Sequence, residues 1–250
     1  PVARFPAHGR WVSEVQFVHL GDTRDRFLMT ASDDGSVALW GACEAVLYVN
    51  TACAGSPAVT AVSRSPFHPD GVYSAHVHEP SGKVVTGGKD FQVGVGALTP
   101  AGFVLDRYIG GHAGVVKCVR WRDGGQPTLF ASASNDKTVV VHDVRMPGGS
   151  APTTHSVAVT LAGHHVKAVN TVAWRPGSDT QLLSSGFDNK VILYDVRAPG
   201  QVLATLPTSK SREGGKILHP AYFLRGEVIL AAPPRADHLT MFSASLGVKL

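Results

Sequence analysis

Residues 112–145 read HAGVVKCVRWRDGGQPTLFASASNDKTVVVHDVR, and residues 165–197 read HVKAVNTVAWRPGSDTQLLSSGFDNKVILYDVR. Each stretch begins with a histidine, has a valine four residues later and carries an aspartate, Asp136 or Asp188, just before a run of β-branched residues. Alternating apolar residues separated by turn residues favour antiparallel strands over helices. Two copies of one pattern indicate a repeated supersecondary unit.

The same pattern recurs in the first half of the 250-residue chain. Four units begin with a histidine that has a valine at the fourth following position: His8/Val12, His68/Val72, His112/Val116 and His165/Val169. Each unit also has a turn aspartate that is followed, after three and five residues, by Val or Leu: Asp34, Asp90, Asp136 and Asp188. A fifth, degenerate unit begins near residue 216 and lacks this aspartate. We therefore predict an all-β chain that forms one domain, residues 1–250.

The order Gly-His, Asp-x-x-Val-x-Val-x-Asp-Val-Arg, Gly-His in residues 111–164 resembles the WD repeat. The resemblance extends from residue 8 to about residue 208 and implies a WD-repeat β-propeller, in which four-stranded blades fan about a central channel. About five blades are recognisable. Because the family commonly builds seven, we expect a seven-bladed native ring whose N-terminal blades are missing here, with residues 2–5 as the outer strand of such a blade.

The resemblance also implies a buried network of His, Ser or Thr, Asp and Trp that locks each blade. The residues at the matching positions are His8, Thr30, Asp34 and Trp40 in the first unit; His68, Thr86 and Asp90 in the second; His112, Ser132 and Asp136 in the third; and His165, Ser184 and Asp188 in the fourth. The Trp position holds Gly96, His142 and Tyr194 in the later units. We therefore expect a complete network in the first blade alone.

In propellers of this family, side chains three and five residues after the repeat histidine, and those just before the turn aspartate, lie at the channel mouth. The partner-binding residues predicted on this basis are Trp11, Ser13, Asp33, Tyr73, Lys89, Lys117, Asn135, Asn170 and Phe187. Aromatic rings beside cations are typical of binding hot spots. Such a mouth suits an acidic peptide or, alternatively, RNA that stacks on the rings. The competing interpretation is that Trp11 and Phe187 pack locally under a loop.

Two arginines favour a different partner. Residues 182–197, which end in Arg197, are similar to the WD-Arg box of substrate receptors that dock on the cullin-4 ubiquitin-ligase adaptor. Residues 130–145, which end in Arg145, follow the same pattern except that His142 replaces the aromatic residue. The alternative function is therefore a cullin-4 substrate receptor. The competing interpretation is that each Asp-x-Arg pair braces its own blade.

Catalytic and metal-binding signals are weak. The sequence has no GxSxG, GxGxxG or Walker loop. His76 and His78 share a strand face, but no third ligand has suitable spacing for a metal site. The three cysteines show no CxxC spacing, which favours a reducing compartment. We predict a protein with no catalytic residues, no metal and no cofactor.

The charge and the hydropathy of the sequence favour a soluble protein that binds other proteins. A net charge of +4 is a mild excess and supports nucleic-acid binding only as an alternative. No apolar stretch approaches the roughly 20 residues that a membrane helix needs. The predicted function is a non-catalytic protein–protein interaction scaffold in a multi-subunit assembly. We expect it in the cytoplasm or the nucleus.

Overall fold

The computed structural model describes residues 7–19, 26–41, 60–99, 101–124, 126–145, 157–207, 221–223, 226–231 and 240–245. These ranges consist of strands and turns, with a 3-10 turn at Glu79–Ser81. None of the helical segments in them has the length and apolar character of a transmembrane helix. The strands form five antiparallel sheets, which we call blades 1 to 5 in chain order.

Four blades have four strands each. Blade 1 contains β1 (Val12–His19), β2 (Arg26–Ser32), β3 (Ser36–Gly41) and β4 (Thr60–Pro66). Blade 2 contains β5 (Val72–His78), β6 (Lys83–Gly88), β7 (Val93–Thr99) and β8 (Gly102–Ile109). Blade 3 contains β9 (Val116–Trp121), β10 (Leu129–Ser134), β11 (Val139–Asp143) and β12 (Val157–Leu161). Blade 4 contains β13 (Val169–Trp174), β14 (Gln181–Gly186), β15 (Lys190–Asp195) and β16 (Val202–Pro207).

Blade 5 has three strands in the described residues, β17 (Ala221–Phe223), β18 (Val228–Ala231) and β19 (Thr240–Ser243). In every blade the strands pair in chain order. This confirms the predicted all-β propeller of about five blades. The outer strand expected at residues 2–5 lies outside the described residues.

The turn aspartates shape the hairpin between the second and third strand of blades 1 to 4. The residue after each aspartate has a positive φ: Gly35 at 84°, Phe91 at 70°, Lys137 at 75° and Asn189 at 58°. An aspartate side chain stabilises such a turn by accepting a hydrogen bond from its own backbone two residues on. Asp136 does so from the N–H of Thr138 at 2.9 Å, and Asp34 from that of Ser36 at 3.0 Å.

Neighbouring blades pack face to face through apolar residues. The core between blades 2 and 3 consists of Val85, Val93, Val95 and Ile109 from one and Val116, Val119, Trp121 and Phe130 from the other. Residues at the same register form the cores between the other pairs of neighbours. The inner strands β1, β5, β9 and β13 consequently lie side by side along the channel.

Blade 1 differs from the blades that follow it. Its face that corresponds to Val116, Val119 and Trp121, which we call the leading face, carries Val12, Val15 and Phe17. These side chains are 40%, 55% and 52% exposed, whereas their counterparts in blade 2, Val72, Ala75 and Val77, are at most 2% exposed. The interblade pattern is therefore retained in blade 1 without any covering sheet in the described part of the chain.

Candidate binding site at the channel mouth

The turn aspartate and the repeat histidine of blade 1 meet in a chain of hydrogen bonds. Nδ1 of His8 lies 3.1 Å from a carboxylate oxygen of Asp34, and its Nε2 lies 2.7 Å from Oγ1 of Thr30. Nε1 of Trp40 donates to the same hydroxyl oxygen at 2.8 Å. Burial opposes ionisation of Asp34, but hydrogen bonds from Ser36 and Gly9 outweigh it and lower its pKa to about 2.

Blades 2 to 4 repeat the first part of this chain. The distance from Nδ1 of the histidine to the aspartate is 2.9 Å in blades 2 and 3 and 3.0 Å in blade 4. The distance from Nε2 to the hydroxyl oxygen is 2.8 Å for Thr86 and 2.7 Å for Ser132 and Ser184. Asp136 and Asp188 also accept the backbone N–H of the residue after the histidine. Each network thus ties a turn to the entry of the inner strand, at the mouth.

Blade 3 departs from the expectation that only blade 1 has a complete network. Nε2 of His142 lies 2.8 Å from Oγ of Ser132 and takes the position of the tryptophan donor. A carboxylate only accepts hydrogen bonds, so neutral His112 donates from Nδ1 and accepts the Ser132 hydroxyl at Nε2. His142 must then donate from Nε2. His142 therefore supplies the hydrogen bond that Trp40 donates in blade 1, a role that the sequence alone did not reveal.

This replacement leaves one buried nitrogen without a partner. Nδ1 of His142 has no hydrogen-bond partner among the described residues. The imidazole is stacked on Phe130, with ring centroids 4.6 Å apart. Burial lowers the pKa of His142 to about 3, so the ring is neutral near pH 7.

At the position of the tryptophan donor, blade 4 has a more distant hydroxyl group and blade 2 has no side chain. The hydroxyl oxygens of Tyr194 and Ser184 lie 3.4 Å apart, and burial raises the pKa of Tyr194 to about 12. In blade 2 a Cβ at position 96 would collide with the carbonyl oxygen of Val104, so Gly96 is required by the close approach of β7 and β8. No donor occupies that position.

The mouth contains an aromatic pair with a cation. Trp11 and Tyr73 meet edge to face with ring centroids 5.4 Å apart. Nζ of Lys117 lies 3.7 Å from the centroid of the Tyr73 ring, within the range of a cation–π contact. The Trp11 side chain is 51% exposed, which contradicts local burial under a loop. Blades 1, 2 and 3 each contribute one residue to this cluster.

A cavity of about 340 Å³ opens beside the pair. Six of the predicted mouth residues line it: Trp11, Ser13, Tyr73, Lys117, Asn170 and Phe187. Asp33, Lys89 and Asn135 are not in the lining, but their backbone N–H groups bond to the carbonyls of Trp11, Gly71 and Val115 at the strand entries. They therefore lie next to the rim rather than inside the cavity. Phe187 is half-buried.

The floor of the cavity contains an ion pair that the sequence did not predict. Nη1 of Arg120 lies 3.2 Å from a carboxylate oxygen of Glu14 and donates to Oγ of Ser74 at 2.9 Å. These residues belong to blades 3, 1 and 2, so the pair links three inner strands. They occupy the positions six or eight residues after the repeat histidine, which alternate with the interblade residues and face the channel. That alternation is the signal that could have identified them.

The surroundings of Lys117 lower the pKa of its amine. Burial and the positive charge of Lys89 lower the pKa of Lys117, while Asp33 acts in the opposite direction. The carboxylate oxygen Oδ2 of Asp33 lies 3.5 Å from Nη1 of Arg10. The cation at the mouth is thus only partly compensated by the protein.

Arg145 and Arg197 lie at the far end of β11 and β15. The guanidinium group of each donates from Nε and Nη2 to the aspartate two residues before it, Asp143 or Asp195; the Nη2 bond is 2.6 Å in both. Their side chains remain 69% and 72% exposed. Each pair is thus local to the end of its own strand, and the guanidinium groups still reach solvent; docking on an adaptor through them stays a prediction.

The two histidines of β5 have separate structural partners. Nδ1 of His76 accepts the backbone N–H of Trp121 at 3.2 Å, which joins blades 2 and 3. Nδ1 of His78 lies 2.9 Å from the hydroxyl oxygen of Ser81. In the ranges that the structure covers, no group of three or more His, Cys, Asp or Glu residues is placed to hold a metal ion. The absence of metal, cofactor and catalysis stays a prediction.

Comparison with known proteins agrees with this architecture. The family model "WD domain, G-beta repeat" matches residues 1–41, 104–143 and 156–195. Methylosome protein WDR77 of Xenopus laevis is 26% identical over 205 residues, which cover 82% of this chain and 52% of that protein. A ribosome biogenesis protein WDR12 homolog of Nematostella vectensis is 39% identical over 93 residues, or 37% of this chain and 20% of that protein.

A third relative is the RbAp48-related WD40 repeat-containing protein prw1 of Schizosaccharomyces pombe, which is 34% identical over 103 residues. The match covers 41% of this chain and 22% of that protein. The chain thus spans between about a fifth and about a half of the length of these relatives. The repeated hydrogen-bonded blades and the family match lead to one conclusion. The chain belongs to the WD-repeat family of β-propellers.

Proposed function

We propose that this chain is a non-catalytic scaffold that holds a protein partner at its channel mouth. The observation that carries the proposal is the cluster of Trp11, Tyr73 and Lys117 beside a 340 Å³ cavity. An exposed tryptophan next to a tyrosine and a cation has the composition of a binding hot spot. The networks behind the mouth reduce the ordering cost of binding because they fix its loops in advance.

The relatives support a role in an assembly. Their names place one in the methylosome and another in ribosome biogenesis. We propose by analogy that the partner of this chain belongs to a multi-subunit complex, in the cytoplasm or the nucleus. We further propose that residues 1–250 form one domain, since each blade shares an apolar core with the next.

Co-purification with mouth variants tests this function. Trp11→Ala removes the exposed ring, and Leu203→Ala is a matched control because Leu203 is an apolar side chain of blade 4 that is 53% exposed. The tagged chain and both variants are expressed in the source cells, and the co-purified proteins are quantified by mass spectrometry. We expect Trp11→Ala to lose stoichiometric partners that Leu203→Ala retains. Equal recovery with all three proteins, or no stoichiometric partner at all, would contradict the proposal.

A further inference from the structure

We propose that the mouth recognises a peptide segment in which an acidic side chain stands next to a large apolar one. The inference rests on the proposed function and names the ligand chemistry of the same site. The acidic group would lie against the amine of Lys117, and the apolar group would lie against Trp11. Charge, aromatic exposure and cavity size support it separately.

The charges of the site are not balanced. The floor cation Arg120 is compensated by Glu14, and the rim cation Arg10 by Asp33. Among the described residues, no carboxylate lies within salt-bridge distance of Lys117, and its amine lies over the Tyr73 ring beside the cavity. Burial and then the charge of Lys89 lower the pKa of Lys117, while Asp33 acts in the opposite direction. An anion that binds at the Lys117 amine gains charge-assisted hydrogen bonds. Electrostatic complementarity of this kind sets specificity for the partner.

The aromatic surface has one open face. Lys117 covers a face of Tyr73 at 3.7 Å, so this ring is engaged within the protein. Trp11 meets Tyr73 through an edge and stays 51% exposed. A single large ring suits one apolar side chain of a ligand. Single-stranded RNA, by contrast, is held by successive stacking platforms along a basic groove.

The size of the cavity also favours a peptide. A volume of about 340 Å³ lies at the lower end of the range for ligand pockets. It has room for a few side chains rather than for several nucleotides. Because two neighbouring ligand residues would reach Lys117 and Trp11 together, affinity should depend on both residues at once.

A peptide selection tests this ligand class. A phage library of random octapeptides is selected on the immobilised full chain. We expect enriched peptides to carry Glu or Asp beside an aromatic or long aliphatic residue. Enrichment of neutral or basic peptides would overturn the inference, and so would no enrichment above a blank surface.

Fluorescence anisotropy of the best selected peptide then measures the role of each cation. Lys117→Gln should raise its Kd about tenfold, equivalent to about 1.4 kcal/mol. Lys83→Gln is the matched control, because Lys83 is an exposed lysine at the opposite end of β6 from Lys89. It should leave the Kd unchanged. An unaltered Kd with Lys117→Gln would refute the role of the mouth charge, and displacement of the peptide by a twelve-nucleotide oligouridylate would favour RNA instead.

Replacing glutamate in the peptide by phosphoserine, and separately by glutamine, identifies the anionic group. Tighter binding of the phosphoserine peptide assigns a phosphate, and unchanged or weaker binding assigns a carboxylate. Binding of the glutamine peptide at full affinity would refute any anionic requirement. If Trp11→Ala abolishes co-purification while no acidic preference is found, the scaffold function stands and this inference fails. If Trp11→Ala retains every partner and no acidic preference is found, both the scaffold function and this inference fail.

Discussion

Phenylalanine at position 142 is expected to leave the stability of the protein almost unchanged, although the same replacement at the equivalent position 40 is expected to cost about 2 kcal/mol. Trp40 and His142 both donate to the central hydroxyl of their networks, at 2.8 Å. The two side chains differ in the number of polar nitrogen atoms that they bury. The indole has a single N–H, which is bonded, whereas the imidazole also buries Nδ1, which has no hydrogen-bond partner in the described residues.

The magnitudes follow from these contacts. A buried neutral hydrogen bond contributes about 1 kcal/mol net, and an unsatisfied buried polar atom costs about 1–3 kcal/mol. Trp40→Phe loses the bond and leaves a small cavity at a side chain that is 5% exposed, for a total of about 2 kcal/mol. In His142→Phe the lost bond is offset by removal of the orphan nitrogen. The net change should then fall within about 1 kcal/mol of zero.

Urea unfolding monitored by circular dichroism measures both changes. With an m-value of about 2.5 kcal/mol per M, Trp40→Phe should lower the midpoint by about 0.8 M. His142→Phe should shift it by less than about 0.4 M. Tyr194→Phe is the matched third variant; it removes only a hydroxyl group whose contact with Ser184 is 3.4 Å long. It should cost less than Trp40→Phe.

A loss of stability in His142→Phe equal to that of Trp40→Phe would refute this reasoning. It would mean that Nδ1 of His142 has a partner in solution and that the histidine is worth as much as the tryptophan. A similar loss in all three variants would show that the contact with the central hydroxyl, rather than the lost volume, decides the cost, because only Trp40→Phe removes appreciable volume. The m-values must agree between variants for these comparisons to hold.

Other regions of the molecule lead to three further predictions. His76 and His142 have pKa values of about 3 in the folded protein, against 6.5 for an unburied imidazole. Because the unfolded chain binds more protons between these values, the free energy of unfolding should fall as the pH drops from 6.5 towards 3. The fall should be less steep in His142→Phe. If docking on a cullin-4 adaptor uses the exposed guanidinium groups, Arg145→Glu combined with Arg197→Glu should abolish adaptor binding in a pull-down, and unchanged binding would remove that alternative. The exposed apolar side chains of the leading face, Phe17 among them, should make the chain self-associate. Phe17→Lys should therefore reduce self-association measured by sedimentation velocity, and an identical association profile would contradict this.

Most of the fold was predictable because each blade repeats one local rule. An aspartate followed by a residue with positive φ fixes a hairpin, and alternation on either side fixes the strands. The predicted mouth residues Trp11, Tyr73 and Lys117 do meet. Tyr73 and Lys117 hold the same position in consecutive blades, five residues after the repeat histidine, and Trp11 stands three residues after the histidine of the blade before them. A repeat brings these positions side by side.

The remaining features depend on contacts between blades. Glu14 and Arg120 are far apart in sequence, and only the fan of inner strands brings them together. β4 was not predicted, because Thr60–Pro66 lacks the alternating apolar pattern of the other outer strands. The donor role of His142 depends on the direction of each proton in its network, and residue type alone does not determine that direction.

The hydroxyl at the centre of each network has a wider consequence for how such repeats change over evolutionary time. Four different groups occupy the position next to this hydroxyl in one molecule: an indole in blade 1, no side chain in blade 2, an imidazole in blade 3 and a phenol in blade 4. The histidine–aspartate half of each network persists through all four. A lineage can therefore drift at the signature tryptophan without losing the blade, so searches that weight this letter heavily will overlook repeats that are physically intact.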